Sequence, residues 1–338
     1  IRDRACKVDV PGIRIISPGG KVVDLPFLYK GNPRSGYVSR RHDFDNLLVN
    51  HVRKIPEVTL LEGHSVQSSQ LTGEGVIVKT SHDNFRGSML VAADGAHSIF
   101  TKMLGNKLDR RHYSAGLRVY YSNVEYMHAQ NFIELIFFKD VLPGYVWIFP
   151  LPEGSANVGV GMLSSVVSRR KVNLKQTLDK LIKDHPLLRD RFARAVPEES
   201  MKGFGLPHGS SKRKISGDHI LLAGDAAGLI DPFSGEGIGN AIRSGRFAAK
   251  HIKHAFASSD FSAGFNQKYD DEVNSAMGKE FQVSRALQKA CKYPWLFNWI
   301  AKKASNPYWH GYLMDALTDM HKKNRLTDPR LYLKMLIK

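Results

Sequence analysis

The sequence predicts a mixed α/β fold, with an open-sheet core, an antiparallel sheet subdomain and a helical C-terminal region. Three observations carry this reading. Two short apolar runs, Ser88 to Ala93 and Ile220 to Ala223, read as core strands, and each leads into a turn bearing Asp and Gly. Between Ala115 and Leu163 the texture changes to runs of aromatic and β-branched residues broken by turn formers. After Gly237 the pattern is helical, and it stays so to the end of the chain.

Taken in order, Ile13 to Ile16 and Lys21 to Leu25 form a hairpin around Ser17-Pro18-Gly19-Gly20. Asp43 to Lys54 is a helix whose apolar positions recur at helical spacing and whose extension Pro56 limits. Short strands follow near Val58 to Leu61, Ser65 to Leu71 and Gly75 to Ser81. Next comes Ser88 to Ala93, a run apolar enough to be buried on both faces. The antiparallel sheet is expected from Leu117 to Val124, Phe132 to Phe138, Tyr145 to Phe149 and Asn157 to Leu163. Lys175 to Asp184 is helical and stops before Pro186. The strand Ile220 to Ala223 returns the chain to the core, and Gly237 to Phe256 places Ile238, Ala241, Ile242, Gly245, Ala248 and Ile252 on one helical face. Phe261 to Lys338 reads as several helices.

The composition, 42% hydrophobic and 24% charged over 338 residues, is that of an ordinary globular protein. Two cysteines far apart, Cys6 and Cys291, build no disulfide framework and have no metal-ligand spacing, so no metal is expected. They fit a reducing, cytoplasmic setting. No apolar run is long enough to cross a bilayer, and the opening Ile1-Arg2-Asp3-Arg4 is too charged for a signal-peptide core. A net charge of +17 favours anionic partners. The basic residues are nevertheless scattered over Arg40-Arg41, Arg110-Arg111, Arg169-Arg170-Lys171 and Lys212-Arg213-Lys214 rather than concentrated with stacking aromatics. Nucleic acid is therefore not an expected partner.

The chemistry begins at Gly224-Asp225-Ala226-Ala227-Gly228, which puts a carboxylate at the carboxyl end of a core strand, where open α/β sheets bind ligands. Past the turn at Asp231-Pro232, Ser234-Gly235-Glu236-Gly237-Ile238-Gly239 opens the long helix. Small residues there admit a flat ligand close to the backbone, and the helix start offers N–H groups and positive potential. That combination suits a flavin: the amides face negative charge on the reduced ring, and Asp225 accepts hydrogen bonds from a ribityl chain.

The run from Gly224 through Pro232 to Gly235-Glu236-Gly237-Ile238 resembles the second FAD-binding motif of the flavoprotein hydroxylase-like superfamily, and its details are most similar to the geranylgeranyl reductase branch. Ala93-Asp94-Gly95-Ala96-His97-Ser98 resembles the Asp-Gly motif between that superfamily's two FAD-binding stretches. Arg41-His42-Asp43-Phe44-Asp45-Asn46-Leu47-Leu48 resembles its Arg-x-x-Phe-Asp-x-x-Leu pattern. Tyr145-Val146-Trp147-Ile148-Phe149-Pro150, followed by Gly159-Val160-Gly161, is similar to the signature of prenyl reductases.

The resemblance implies FAD as cofactor, held by Arg41, Asp94, Gly95, Gly224, Asp225, Ala226, Pro232, Gly235, Glu236, Gly237 and Ile238. It also implies a substrate wall made by Tyr145, Trp147, Phe149, Pro150, Gly159 and Gly161, against which a geranylgeranyl or polyprenyl chain lies while its C=C bonds are reduced. Alternation puts Tyr145, Trp147 and Phe149 on one face of their strand. The implied layout is a Rossmann-like FAD-binding domain in two parts, 1–114 and 208–258, around a substrate subdomain, 115–207, with a helical region at 259–338. NAD(P)H or ferredoxin is the implied electron donor. No catalytic acid is assigned from the sequence.

One part of the pattern is missing. The family opens with a strand, a Gly-x-Gly-x-x-Gly turn and a helix, whereas Gly12, Gly19 and Gly20 have neither the spacing nor the context. The expectation is that this segment precedes Ile1 in a longer protein and that only part of the flavin site is present. Two rivals share the evidence: a flavin monooxygenase or halogenase, whose similar strand carries Trp where Tyr145 stands and Ile where Phe149 stands, and a non-catalytic lipid-binding protein. Trp295, Leu296, Phe297, Trp299 and Ile300 with Lys302-Lys303, and later Leu331 to Lys338, have the composition of interfacial helices. Peripheral contact with an anionic membrane, at its inner face, is the corresponding expectation.

Overall fold

In the computed structural model, which describes residues 7–29 and 32–304, the chain opens with strands β1 (Lys7–Val10), β2 (Gly12–Ile16), β3 (Val22–Pro26), β4 (Leu28–Tyr29), β5 (Asn32–Pro33) and β6 (Gly36–Ser39). Helix α1 (Arg41–Val52) follows, then β7 (Val66–Thr72), β8 (Gly75–Thr80), β9 (Asn84–Gly87), β10 (Leu90–Ala92) and α2 (Ile99–Met103). The middle of the chain supplies β11 (Tyr113–Ser122), β12 (Ile133–Ile136), β13 (Tyr145–Pro150), β14 (Ala156–Leu163), α3 (Ser164–Arg170) and α4 (Leu174–Asp184). Last come β15 (Val196–Pro197), β16 (Lys202–Pro207), β17 (Ser216–Gly217), β18 (Ile220–Leu222), α5 (Ile238–Ser258), α6 (Ala263–Ala290) and α7 (Pro294–Ala304).

These elements make two compact units, one of Ile1–Thr59, Ala115–Phe204 and Ala286–Lys338, the other of Leu60–Ser114 and Gly205–Arg285. The first holds a mixed sheet of order β15-β11-β14-β13-β12-β2-β3, with β16 also pairing β11. Its core lies on the face where Val146, Ile148, Val158 and Val160 point, each at most 1% exposed, packed against Leu178 of α4 and Leu188. On β3, Val23 and Leu25 pack with Ala301 and Ala304 of α7, with Trp299 against them. The second unit holds the sheet β10-β18-β17 and the meander β7-β8-β9. Its core joins Ile220, Leu221 and Leu222 to Ala248 of α5 and to Tyr269, Val273 and Met277 of α6. The Tyr269 hydroxyl donates to the Leu222 carbonyl at 2.7 Å, so the buried phenol is satisfied.

The hairpin forms as its turn residues dictate, with Ile13 opposite Leu25 and Gly20 at φ +78°. It sits in the mixed sheet of the first unit, with β2 running parallel to β12. No strand forms at Val58 to Leu61. That stretch follows Pro56 as an exposed loop, because its apolar residues find no partner strand among the described residues. The run Ser88 to Ala93 narrows to the three residues of β10, and Val91 is 38% exposed, so this strand is not buried on both faces. Alternation had also left β9 and α3 unassigned.

Of the apolar residues expected on an interfacial helix, Phe297 stacks edge-on against Phe137 at 4.6 Å and Trp299 joins the α7 cluster, whereas Trp295 remains exposed. Cys6 and Leu331 to Lys338 lie outside the described residues. Cys291 is a buried free thiol whose pKa burial pushes up to about 12. Among the described residues no helix is long and apolar enough to cross a membrane.

Candidate functional site

In the second unit the two carboxylate turns meet because their strands are neighbours. β10 and β18 run parallel with Ala92 opposite Leu222, and the Ala223 amide donates to the Ala92 carbonyl at 2.9 Å. Asp94-Gly95 and Gly224-Asp225 therefore leave the same end of one sheet, its ligand-binding carboxyl end. Gly224 needs its φ of +59° to turn there, and a Cβ on it would stand 3.1 Å from the Ala241 Cβ of α5. The turn is tied down on both sides. Its Gly224 amide donates to Ser244 Oγ at 3.0 Å, and Thr101 Oγ1 of α2 donates to the Ala226 carbonyl at 2.8 Å.

The loop from Asp231 to Gly237 is organised by a carboxylate that the sequence reading treated only as part of a turn. Asp231 is buried, and its Oδ1 accepts from the Phe233 and Ser234 amides at 2.9 and 2.8 Å, while Oδ2 accepts from Ser284 Oγ at 2.5 Å. This is an Asx turn, which explains why Asp precedes Pro232. Glu236 accepts the Gly239 amide on Oε1 and so caps the first turn of α5. A Cβ on Gly237 would lie 3.4 Å from Asp225 Oδ1. Glycine at that position lets the Asp225 carboxylate stand close to the amino end of α5, where the helix dipole favours negative charge. Ile238 projects its side chain from this end, 46% exposed.

These residues fit the ribityl and ring end of a flavin. Three positive-φ glycines, at 224, 228 and 235, keep the backbone bare, the Asp225 carboxylate could accept from hydroxyl groups, and the amino end of α5 would favour a ring that gains negative charge on reduction. Asp94 is exposed at the strand end, and Gly95 has open space where a Cβ would be, at φ +85°.

A basic group in the same unit went unnoticed in the sequence. Arg213 lies across Gly228: a Cβ there would stand 2.5 Å from its Nη1. Close in sequence, His208 is 2% exposed, its amide donates to the His112 carbonyl, and His112 Nδ1 is 2.8 Å from Ser210 Oγ. Burial, with the positive charges of Arg285, His112 and Arg213, holds the His208 imidazole down to about 3, against 6.5 ordinarily. Because the folded value is depressed, the unfolded chain takes up a proton that the folded chain refuses as pH falls below 6.5. The His208 contribution to stability is thus complete above that pH and declines towards pH 3 by up to ~1.4 kcal/mol per pH unit. Urea midpoints measured between neutral and acid pH should fall more steeply for the native chain than for His208→Gln; identical slopes would show that His208 titrates normally.

In the first unit, strand alternation sorts the side chains of β13 onto two faces. Val146, Ile148 and Pro150 are buried in the core, while Tyr145, Trp147 and Phe149 stand half-buried on the opposite face. Pro150 therefore belongs to the core side, away from the aromatic row. The rings are neighbours in sequence: Phe137 to Tyr145 at 5.4 Å, Tyr145 to Trp147 at 6.2 Å and Trp147 to Phe149 at 6.3 Å. Gly159 and Gly161 of β14 are the seat of the indole. A Cβ on Gly159 would stand 2.2 Å from Trp147 Cζ2, and Gly161 faces Cζ3 at 3.6 Å. Trp147 Nε1 donates to Asn157 Oδ1 at 3.1 Å, which fixes the ring orientation. Arg41 begins α1, and its guanidinium pairs with Asp45 one turn on at 2.9 Å, while its amide donates to the Tyr120 hydroxyl. The neighbouring Arg40 makes the two-pronged pair with Glu198, at 2.6 and 3.0 Å.

Residues 113–197 match the geranylgeranyl reductase catalytic domain. The digeranylgeranylglycerophospholipid reductase of Thermoplasma acidophilum is 30% identical over 302 residues, which cover 87% of this chain and 71% of that protein. Among solved structures, a geranylgeranyl bacteriochlorophyll reductase-like protein of Thermoplasma acidophilum superposes with a TM-score of 0.75 at 25% identity, covering 94% of this chain and 83% of that one. A halogenase in complex with phloroglucinol and FAD shares the fold, with a TM-score of 0.70 at 17% identity over 97% of this chain and 69% of its own. With 30% identity to a reductase over most of both chains, and residues 113–197 matching the reductase catalytic domain, the chain belongs to the geranylgeranyl reductase family of FAD-dependent oxidoreductases.

Proposed function

We propose that this chain acts as an FAD-dependent reductase that hydrogenates isoprenoid C=C bonds of a geranylgeranyl or polyprenyl lipid. The observation that carries the reading is the aromatic row on β13 with Trp147 laid over Gly159, an apolar, oriented surface of the kind a flat polyene needs. Gly224, Asp225, Ala226, Pro232, Gly235, Glu236, Gly237 and Ile238, with Asp94 and Gly95, are the residues that would hold a flavin, while the side chain of Arg41, implied by the family resemblance, pairs with Asp45. A bound, reduced FAD would supply the hydride for one alkene carbon, and a proton drawn ultimately from solvent would complete the CH–CH bond at the neighbouring carbon. The protein's own contribution is orientation and exclusion of water: Tyr145, Trp147 and Phe149 align the chain, and Gly159 and Gly161 keep the indole flat against β14. Trp295, exposed near Lys302 and Lys303 in sequence, offers a peripheral contact to an anionic lipid surface from which such a substrate is drawn.

The test is anaerobic reduction of the flavin-loaded protein by NADPH, NADH and ferredoxin in turn, followed by mass analysis of a geranylgeranyl lipid. Two added hydrogens per double bond are expected. Oxygen uptake coupled to hydroxylation or halogenation of the substrate would replace the reductase reading with the monooxygenase one, and a protein that binds the lipid but takes up no flavin would leave a binding role only.

A further inference from the structure

The aromatic row on β13 has two unlike ends. At one, Phe137, 1% exposed, lies 5.4 Å from the Tyr145 ring and stands edge-on to Phe297 at 4.6 Å, ring against ring. At the other, Phe149 pairs across the sheet with Asn157 of β14, which puts both side chains on the same face. Asn157 is the one polar side chain that β14 sets opposite the row, since Gly159 pairs with Trp147 and Gly161 with Tyr145. Polar groups continue past that end. Ser155, two residues back along the chain, donates through Oγ to Glu198 Oε1 at 3.0 Å, and Glu198 takes the Arg40 fork.

The hydrogen bond to Trp147 decides which way the Asn157 amide is turned. An indole N–H can only donate, so the atom 3.1 Å from Nε1 is the carbonyl oxygen Oδ1. The NH2 group of the same amide then points away from the indole, and among the described residues it has no partner. Asn157 is half-buried, and its Nδ2 opens to accessible space rather than being sealed in the interior.

We propose that this free amide is the head subsite of the prenyl wall: Asn157 Nδ2 donates to the oxygen on the first carbon of the isoprenoid chain, whose tail runs from Phe149 past Trp147 to Tyr145. What the wall binds rests on the reductase reading. Rings alone give a polyene lying on them no direction, whereas one hydrogen bond at one end does, and direction decides which double bond lies where. The ligand class follows from the donor: an isoprenoid with an accepting oxygen at its head, as in an alcohol, an ether or an ester. Asn157 thus acts through two atoms, Oδ1 on the ring and Nδ2 on the substrate. Asn157→Asp separates them, because a carboxylate still accepts from the indole but has no N–H to offer.

Binding to the full chain is measured without added flavin, by competition with a fluorescent prenyl analogue. The ligands are geranylgeranyl methyl ether, whose oxygen only accepts, and the hydrocarbon with a methylene in that oxygen's place. The ratio of their affinities, ether over hydrocarbon, is expected to be about fivefold higher in the native chain than in Asn157→Leu or Asn157→Asp; comparing ratios cancels the unequal hydration of the two ligands. The near-ultraviolet dichroism of the indole should stay native in Asn157→Asp and fall in Asn157→Leu. Equal ratios in the three proteins overturn the subsite. So does a ratio that falls in Asn157→Leu alone, which would trace the effect to the position of the ring. Direction is read with Tyr145→Ala, expected to weaken geranylgeraniol about tenfold and to leave geraniol unchanged, since the short alcohol covers only Phe149 and Trp147 from Asn157. An equal loss for both alcohols overturns the direction. A chain that shows the ether effect but reduces no alkene keeps this subsite and loses the reductase reading; hydrogenation without the ether effect does the opposite.

Discussion

Gly159→Ala should be among the most damaging single methyl additions in the chain. The new carbon would stand 2.2 Å from Trp147 Cζ2 and 2.3 Å from the Leu117 carbonyl oxygen. The indole can swing aside, but the carbonyl belongs to the backbone of β11, the strand beside β14 in the sheet, and cannot move without disturbing the ladder. Overpacking of this kind costs about 1–3 kcal/mol. Reduction of the prenyl chain should fall much further, on the order of 100-fold, because a wall displaced by an ångström no longer aligns the alkene. Gly161→Ala is the control. Its Cβ would meet Trp147 Cζ3 at 3.6 Å and the Ala115 carbonyl at 4.0 Å, ordinary contact distances, so its stability should change little. Thermal unfolding, the near-ultraviolet dichroism of Trp147 and product mass together read the outcome. A Gly159→Ala protein with native stability and turnover would refute the seating of the indole.

Breaking the ion pair between Glu134 and Arg191 should have the largest effect on stability. Glu134 lies in the middle of β12 at 3% exposure, Arg191 is 9% exposed, and the two meet through parallel hydrogen bonds of 2.7 and 2.9 Å. Removing either partner leaves a charge buried alone, which typically costs about 3–5 kcal/mol. Glu134→Leu and Arg191→Met are therefore each expected to lower the urea midpoint sharply, and the double variant to recover much of the loss, because hydrophobic replacement of a whole buried pair is often close to neutral. Single variants within about 0.5 kcal/mol of the native chain would show that the pair contributes nothing. The glycine turn proposed to hold the flavin lies in the other unit, so flavin binding by the singles, measured below their unfolding midpoint, should survive.

The sequence readings that succeeded were those governed by local rules. Alternation along Tyr145 to Pro150 follows from the strand period alone, and it separates Tyr145, Trp147 and Phe149 from the buried Val146, Ile148 and Pro150. The glycine turn before α5 was legible because its conformation needs glycine at 224, 228 and 235, each at positive φ. Failures came where a residue's role depends on a distant one. Val58 to Leu61 has strand composition but no partner among the described residues, and pairing, not composition, makes a strand. Arg213 reads in the sequence as one more scattered cation, and only the fold lays it across Gly228.

By itself, then, the sequence determined the mixed α/β class, the glycine turn before α5 and the aromatic face of β13, since each is written in a short, contiguous pattern of backbone and face preferences. Only the tertiary structure decided that Gly159 exists to seat Trp147, that Asp231 builds the loop behind Pro232, and that Glu134 finds Arg191 across 57 residues of sequence. Such relations depend on which strands and helices are neighbours, and chain-distant side chains carry no local signal of the partner that folding will bring them.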